Sequence, residues 1–232
     1  MALMNIMEMN RWGKSAEMNI IDLSYLIEND MPTCGTPWHQ KVNISFMGQL
    51  DTVGRNTHSI MVGSHTGTHM DAPYHFIQNG KRIHELKVED MIGDVTIVDF
   101  RRYGERDIVT EDVIRDIKVT EKMLFVFGWN SNWKQDTFYK DFPCFSREAI
   151  RELIRKGMRF MAMDTPSPDA GGAIQNQTDG SENHVELLKN NVIIVEYLTN
   201  TELIDMEKNY EIIALPLKIS GSDGSPCRVV LR

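Results

Sequence analysis

The stretch His65-Thr66-Gly67-Thr68-His69-Met70-Asp71-Ala72-Pro73-Tyr74-His75 constrains this chain more than any other. Three of the seven histidines fall within these eleven residues, together with Asp71. Regular secondary structure cannot gather them. A straight strand puts the odd-numbered side chains on one face but leaves His65 and His69 roughly 13 Å apart. A helix aligns His65 with His69 but turns Asp71 away, and Gly67 and Pro73 both oppose it. A bend at Gly67, where glycine accepts backbone angles that other residues resist, brings the imidazoles and the carboxylate together on a tight loop. These residue types are the usual ligands of zinc, manganese or iron. The competing reading, that they cap turns and satisfy buried polar groups, does not account for so dense a set of ligand types among small neighbours.

The frame around this loop is read from short apolar runs bounded by turn residues, which predict strands. They lie at Ile20–Leu23, Val42–Phe46, Ser59–Val62, Val95–Phe100, Met123–Phe127, Arg159–Met163, Val192–Val195, Glu211–Leu215 and Arg228–Leu231. Ser146 is a good N-cap for a helix over Arg147–Lys156, with Ile150, Leu153 and Ile154 on one face, cations in the last turn and Gly157 to stop it. Thr110 precedes a shorter helix, Glu111–Ile117. The stretch Asp164–Glu182, rich in Pro, Gly, Asp, Ser and Asn, is too long for a bare connector and reads as a functional loop. The order of elements predicts an α/β (mixed α+β) fold: one compact domain with a mixed, barrel-like sheet and flanking helices. Residues 1–18 read as a Met-rich lead, partly disordered, and the domain spans 19–232.

Twenty-five Lys and Arg against thirty-three Asp and Glu give a formal charge of -8, with no basic block, so nucleic acid and anionic membrane are not expected partners. Neither a secretory h-region nor a membrane-spanning apolar run is apparent. Cys34, Cys144 and Cys227 are odd in number, widely spaced and in no Cys-x-x-Cys pair, which fits a reduced, cytoplasmic protein.

The motif from His65 to His75 resembles that of the cyclase-like metal-dependent hydrolases, which include bacterial kynurenine formamidase and isatin hydrolase. The resemblance continues through Gly128-Trp129, Met163–Asp169, His184-Val-Glu-Leu-Leu, Val192–Asn200 and Gly221–Pro226, so it covers the chain from about Asn19 onwards. It implies that His65, His69 and Asp71 are metal ligands, that His184 and Glu196 complete the metal site, and that His75 is the acid/base. It also implies one or two divalent ions, zinc or manganese, and a homodimer or homotetramer. The residues are compatible with those roles. Glu196 closes an apolar strand run, where an acid faces solvent or a cation, and His184 opens a short helix after the polar loop.

The expected function is hydrolysis of an amide, lactam or ester carbonyl of a small substrate, an aryl formamide or a cyclic compound, by metal-activated water. A ring-closing cyclase or dehydratase using the same metal as a Lewis acid is the alternative, and a non-catalytic metal-binding protein is a third, opposed by the spare base His75. His39, His58 and His84 read as surface or hydrogen-bonding residues, Asp164 and Asp169 as turn formers as readily as site residues, and Ser222 and Ser225 as members of a tight turn. Substrate-binding residues are not assigned. In kynurenine formamidases the segment after the first strand runs Pro-x-Trp-Pro-Gly-Asp or similar, whereas here Thr33 stands where the aromatic platform would be, and Trp38 is shifted.

Overall fold

Short strands buried on both faces must feed two cores, and three central strands of this chain do so. The computed structural model describes residues 20–37, 39–171 and 180–232. The lead at 1–18, Trp38 and part of the polar loop, 172–179, lie outside the described residues. The elements are β1 (Ile21–Asp22), β2 (Asn43–Gly48), α1 (Leu50–Val53), β3 (Thr57–Met61), β4 (His69–Asp71), β5 (Ile92–Asp99), β6 (Ile108–Val109), α2 (Glu111–Asp116), β7 (Lys122–Val126), β8 (Cys144–Phe145), α3 (Arg147–Arg155), β9 (Phe160–Met163), α4 (Glu182–Lys189), β10 (Ile193–Glu196), β11 (Tyr210–Pro216) and β12 (Gly224–Leu231).

The main sheet runs β12-β11-β5-β7-β9-β10-β4, and β4 pairs back onto β12, so seven strands close into a mixed barrel. β1 adds to the C-terminal end of β12. β5, β7, β9 and β10 are parallel, and the remaining pairings are antiparallel. Parallel neighbours need long crossovers. Here α2, α3 and α4 supply them.

Side chains alternate along each strand. Leu124 and Val126 of β7, Phe160 and Ala162 of β9, and Ile193 and Val195 of β10 join Met70, Ala214 and Val229 in the core that fills the barrel. Met123, Phe125, Met161, Met163 and Ile194 point the other way, into a second core with Ile114 of α2, Ile150 and Leu153 of α3 and Leu187 of α4. The fold class expected from the sequence is the one observed.

β2 and β3 stand apart as an antiparallel hairpin. Most of their residues are exposed, and Phe46, Met47 and Ile60 on the strands, with Leu50 and Val53 of α1, present apolar surface to solvent.

The two helix starts differ in a way the sequence did not show. Ser146 Oγ accepts a hydrogen bond from the Ala149 N–H at 3.1 Å, whereas Thr110 makes no side-chain cap bond. Ser146→Ala is therefore expected to cost about 1 kcal/mol, lowering Tm by about 2–4 °C, while Thr110→Ala costs measurably less. Thermal melts of both variants check this ordering.

Candidate metal centre

Gly67 makes the bend, with φ at +57°. The threonines on either side fix it. Thr66 Oγ1 accepts from the Gly63 N–H at 3.0 Å. Thr68 Oγ1 accepts from the Tyr25 N–H at 2.9 Å and donates to the Tyr197 carbonyl at 2.6 Å. The sequence reading kept the whole motif on a loop, but His69–Asp71 form a strand, β4, paired on both edges. The reason is physical: this backbone is buried, and buried N–H and C=O groups must find partners.

Strand alternation then sorts the side chains. Met70 enters the barrel core. His69 and Asp71 point outward, and His69 lies opposite Glu196 on β10. On the other side Asp71 lies opposite Gly224 of β12, and the missing side chain leaves room for His65. A Cβ there would stand 2.8 Å from His65 Cε1. α4 lays His184 over the same face.

The distances converge on Asp71. His65 Nδ1 is 2.8 Å from Asp71 Oδ1, and His69 Nε2 is 3.4 Å from the same oxygen. His184 Nε2 is 3.4 Å from Asp71 Oδ2 and 3.1 Å from Glu196 Oε1. His69 Nε2 is 3.4 Å from Glu196 Oε2. His65, Asp71 and His75 can each offer a ligand atom within 4.8 Å of the others, as can His69, Asp71 and Glu196, so Asp71 belongs to both groups. His69, Asp71, His184 and Glu196 are all buried.

Both oxygens of Asp71 and Oε1 of Glu196 are buried without a hydrogen-bond partner, because the nearby imidazole nitrogens, though close, are not aligned to donate to them. Buried polar atoms left unpaired cost roughly 1–3 kcal/mol each, more when charged. Two imidazoles are also turned the wrong way to help. His69 uses Nδ1 on the Gly67 carbonyl at 2.8 Å, and His184 uses Nδ1 on Asp169 Oδ2 at 2.6 Å. Each Nδ1 is thereby the donor, so that Nε2 faces the carboxylates and, in the neutral imidazole that binds a metal, presents its lone pair to them. Lone pairs and carboxylate oxygens converging on one point fit a divalent cation, and a carboxylate or carbonyl behind each imidazole is the usual support of a metal-binding histidine.

The electrostatics show how strongly the cluster draws positive charge. Burial lowers the His65 pKa, but Asp71 and Asp223 outweigh it and hold it up at about 10. Burial likewise disfavours charged His184, yet Glu196 and Asp169 raise it well above the ordinary value. Burial raises Asp71, but the imidazoles around it, His65 foremost, hold it well below the usual range. Burial pushes Glu196 upward.

Over residues 21–170 the chain matches the family model described as "Putative cyclase". It belongs to the cyclase family. The kynurenine formamidase of Bacillus mycoides is 30% identical over 218 residues, covering 91% of this chain and 96% of that protein. Isatin hydrolase A from Labrenzia aggregata, solved with benzyl benzoate, superimposes with a TM-score of 0.81 at 25% identity, over 91% of this chain and 92% of that one. A "predicted metal-dependent hydrolase" from Bacillus stearothermophilus gives a TM-score of 0.74 at 26% identity, over 93% and 98%.

This member of the cyclase family carries one site residue that the sequence reading does not name, Asp223, and a second, Asp169, for which that reading weighs a turn as readily as the site. Asp223 Oδ2 lies 2.8 Å from His65 Nε2 and 3.0 Å from His75 Nδ1. Hydrogen bonds from the two imidazoles hold its pKa far below the carboxylate range, so it stays charged. Its place in Gly221–Pro226 was the available signal, but only the β12–β4 pairing shows that this segment returns to the motif. Asp169, read as readily as a turn former, orients His184 instead.

Asp164 is structural: its carboxylate accepts from the N–H groups of Phe127 and Gly128 and from Thr201 Oγ1. Ser225 is not in a turn but buried in β12, and its hydroxyl, like that of Ser222, is hydrogen-bonded to backbone. His39 bonds Cys34, His84 accepts from the Gly221 N–H, and the His58 ring lies tilted against that of Phe46.

Gly224→Ala is expected to displace His65 and weaken divalent-cation binding by ~10-fold or more, the scale of a disturbed ligand support. Calorimetric titration of the variant with zinc and with manganese checks this.

Proposed function

We propose that this chain is a metal-dependent hydrolase of non-peptide C–N bonds in small aryl formamides or lactams. The single observation that carries the reading is the set of three unpartnered buried oxygens on Asp71 and Glu196, faced by the Nε2 atoms of His69 and His184, with His75 beside them. The kinship with a kynurenine formamidase and an isatin hydrolase supports the substrate class. His65, His69, Asp71, His184 and Glu196 are the proposed ligands. Zinc or manganese suits this mixed nitrogen and oxygen set, and the sharing of Asp71 between two groupings favours two ions over one.

A bound divalent ion supplies a water of lowered pKa and a polarising charge for the substrate carbonyl. His75 handles the protons. Its Nδ1 donates to charged Asp223, which fixes the ring and leaves Nε2 as the base. His75 Nε2 takes the proton of the attacking water and returns it to the leaving nitrogen as the C–N bond breaks. Ring closure by the same residues is the second reading, favoured by the family description. Assays of aryl formamides, isatin-like lactams and lactones for ring opening, and of the opened acids for closure, separate the two.

With the active substrate, His75→Ala should retain its metal and lose about 10²–10⁴-fold in kcat. A metal-loaded variant with full turnover would overturn the role. Burial lowers the His75 pKa, against the raising contact with Asp223, so its neutral, basic form persists below the ordinary histidine value of 6.5. Activity should thus be present at pH 6.5 and be lost only as pH falls through that lower value, giving kcat/KM an acid limb below about 6.5.

The small-molecule substrate is the proposed partner, and the cytoplasm the proposed location. Among the described residues no helix is long and apolar enough to cross a membrane. A homodimer is proposed as well, supported by the exposed apolar side chains of the β2–β3 hairpin, since a two-stranded hairpin is marginal alone in water. The double variant Phe46→Glu, Ile60→Glu should sediment as a monomer where the unaltered chain sediments as a dimer.

A further inference from the structure

Cys34 and His39 lie outside the metal cluster, on a segment strapped to the ligand loop. A Cβ on Gly67 would be 3.0 Å from Met31 Cε, and one on Gly63 would be 3.5 Å from Gln40 Cβ, so residues on both sides of the pair rest on the bend that carries His65 and His69. Tyr139 adds a third anchor, its hydroxyl donating to the Pro32 carbonyl at 3.0 Å. The Tyr139 ring lies 5.9 Å from that of Tyr197, which lies 5.2 Å from His69, so the segment borders the metal centre.

Between the anchors the chain turns through Gly35 at φ +77°. The turn brings Cys34 Sγ to 2.8 Å from His39 Nδ1 and 3.3 Å from Thr36 Oγ1. Cys34 is partly exposed, whereas Cys144 and Cys227 are buried. Burial pushes the Cys144 thiol up to about 11 and Cys227 higher. Burial works on Cys34 in the same direction, but the contacts with His39 and Thr36 outweigh it and hold this thiol below its ordinary value. The Tyr139 phenol is raised by burial and by the Cys34 charge, so it stays neutral. Neither candidate metal grouping among the described residues includes Cys34 or His39, so covalent chemistry accounts for the pair better than ligation does.

We propose that Cys34 and His39 form a nucleophilic thiol–imidazole pair, a covalent modification site for hydroperoxides and soft carbon electrophiles at the edge of the metal centre. In the reaction with a hydroperoxide, the thiolate sulfur attacks the hydroxyl oxygen. The S–O bond forms, the O–O bond breaks, and the alkoxide leaves as the alcohol with the proton that His39 held. Cys34 is oxidised by two electrons to the sulfenic acid, and the peroxide is reduced by the same two. With a haloacetamide, sulfur attacks carbon and halide leaves. The site stands whether or not the metal centre is hydrolytic.

The test uses the full chain loaded with metal. Iodoacetamide alkylation at pH 7, and trapping of the sulfenic acid by a cyclic 1,3-dione after addition of a hydroperoxide, are both followed by peptide mass spectrometry. The unaltered protein is compared with His39→Ala and His39→Asn, with Cys144 and Cys227 as internal reporters of an intact fold. The expected result is that Cys34 alkylates ~10-fold faster in the unaltered protein than in either variant, and faster than free cysteine, as thiolate activation by an imidazole requires. The dione should label Cys34 while Cys144 and Cys227 stay silent. Equal Cys34 rates in the unaltered protein and a variant whose other thiols stay silent would overturn the proposal. So would alkylation of Cys34 in the unaltered protein no faster than that of free cysteine, whatever the variants do.

Discussion

The structure turns on one buried carboxylate. Asp71 sits on a strand hydrogen-bonded on both edges, its two oxygens aimed at imidazole nitrogens that are not aligned to donate to them. A group in that position destabilises the fold unless positive charge sits against it. The rest of the local architecture follows from that requirement. Gly67 takes the left-handed turn that carries His65 back over the strand, and Gly224 omits the side chain that would block it. Asp169 and the Gly67 carbonyl hold His184 and His69 with Nε2 inward.

The barrel makes this arrangement precise. Because strand side chains alternate, one surface of β4 and β10 is spent on the barrel core through Met70 and Val195, leaving His69, Asp71 and Glu196 on the opposite surface in fixed register. Tyr197, directly after Glu196, has φ at +59°, an unusual conformation for an aromatic residue. It is held there by Thr68 at its carbonyl and by its own N–H donating to Thr165. Strain of this kind persists only where the surroundings enforce it, and here it adjoins the proposed ligands.

Much of this was legible in the sequence. The apolar runs located the main strands because each feeds a core, β7, β9 and β10 on both faces, and Ser146 marked α3 because its hydroxyl caps the helix. The density of His and Asp around Gly67 pointed to the centre. What local reading missed depends on long-range pairing. That His69–Asp71 form a strand is decided by β10 and β12, both far along the chain. Asp223 drew no assignment because nothing nearby in sequence shows that it meets His65 and His75. Ser225 reads as a turn residue beside glycines, yet it is buried in β12. Cys34 and His39, five residues apart, are paired by a turn through Gly35 that no periodicity announces.

The proposed chemistry divides the motif. His65, His69 and Asp71 join His184 and Glu196 in holding charge, while His75, steadied by Asp223, moves protons. The claim beneath this division is that a cation, and not a set of protons, compensates Asp71. Anomalous X-ray scattering from crystals of protein purified without chelators, recorded across the zinc and manganese absorption edges, tests it most directly. The account predicts anomalous density within the cluster of His65, His69, Asp71, His184 and Glu196. An empty anomalous map after soaking in either ion, with Asp71 satisfied by protonated imidazoles alone, would contradict it.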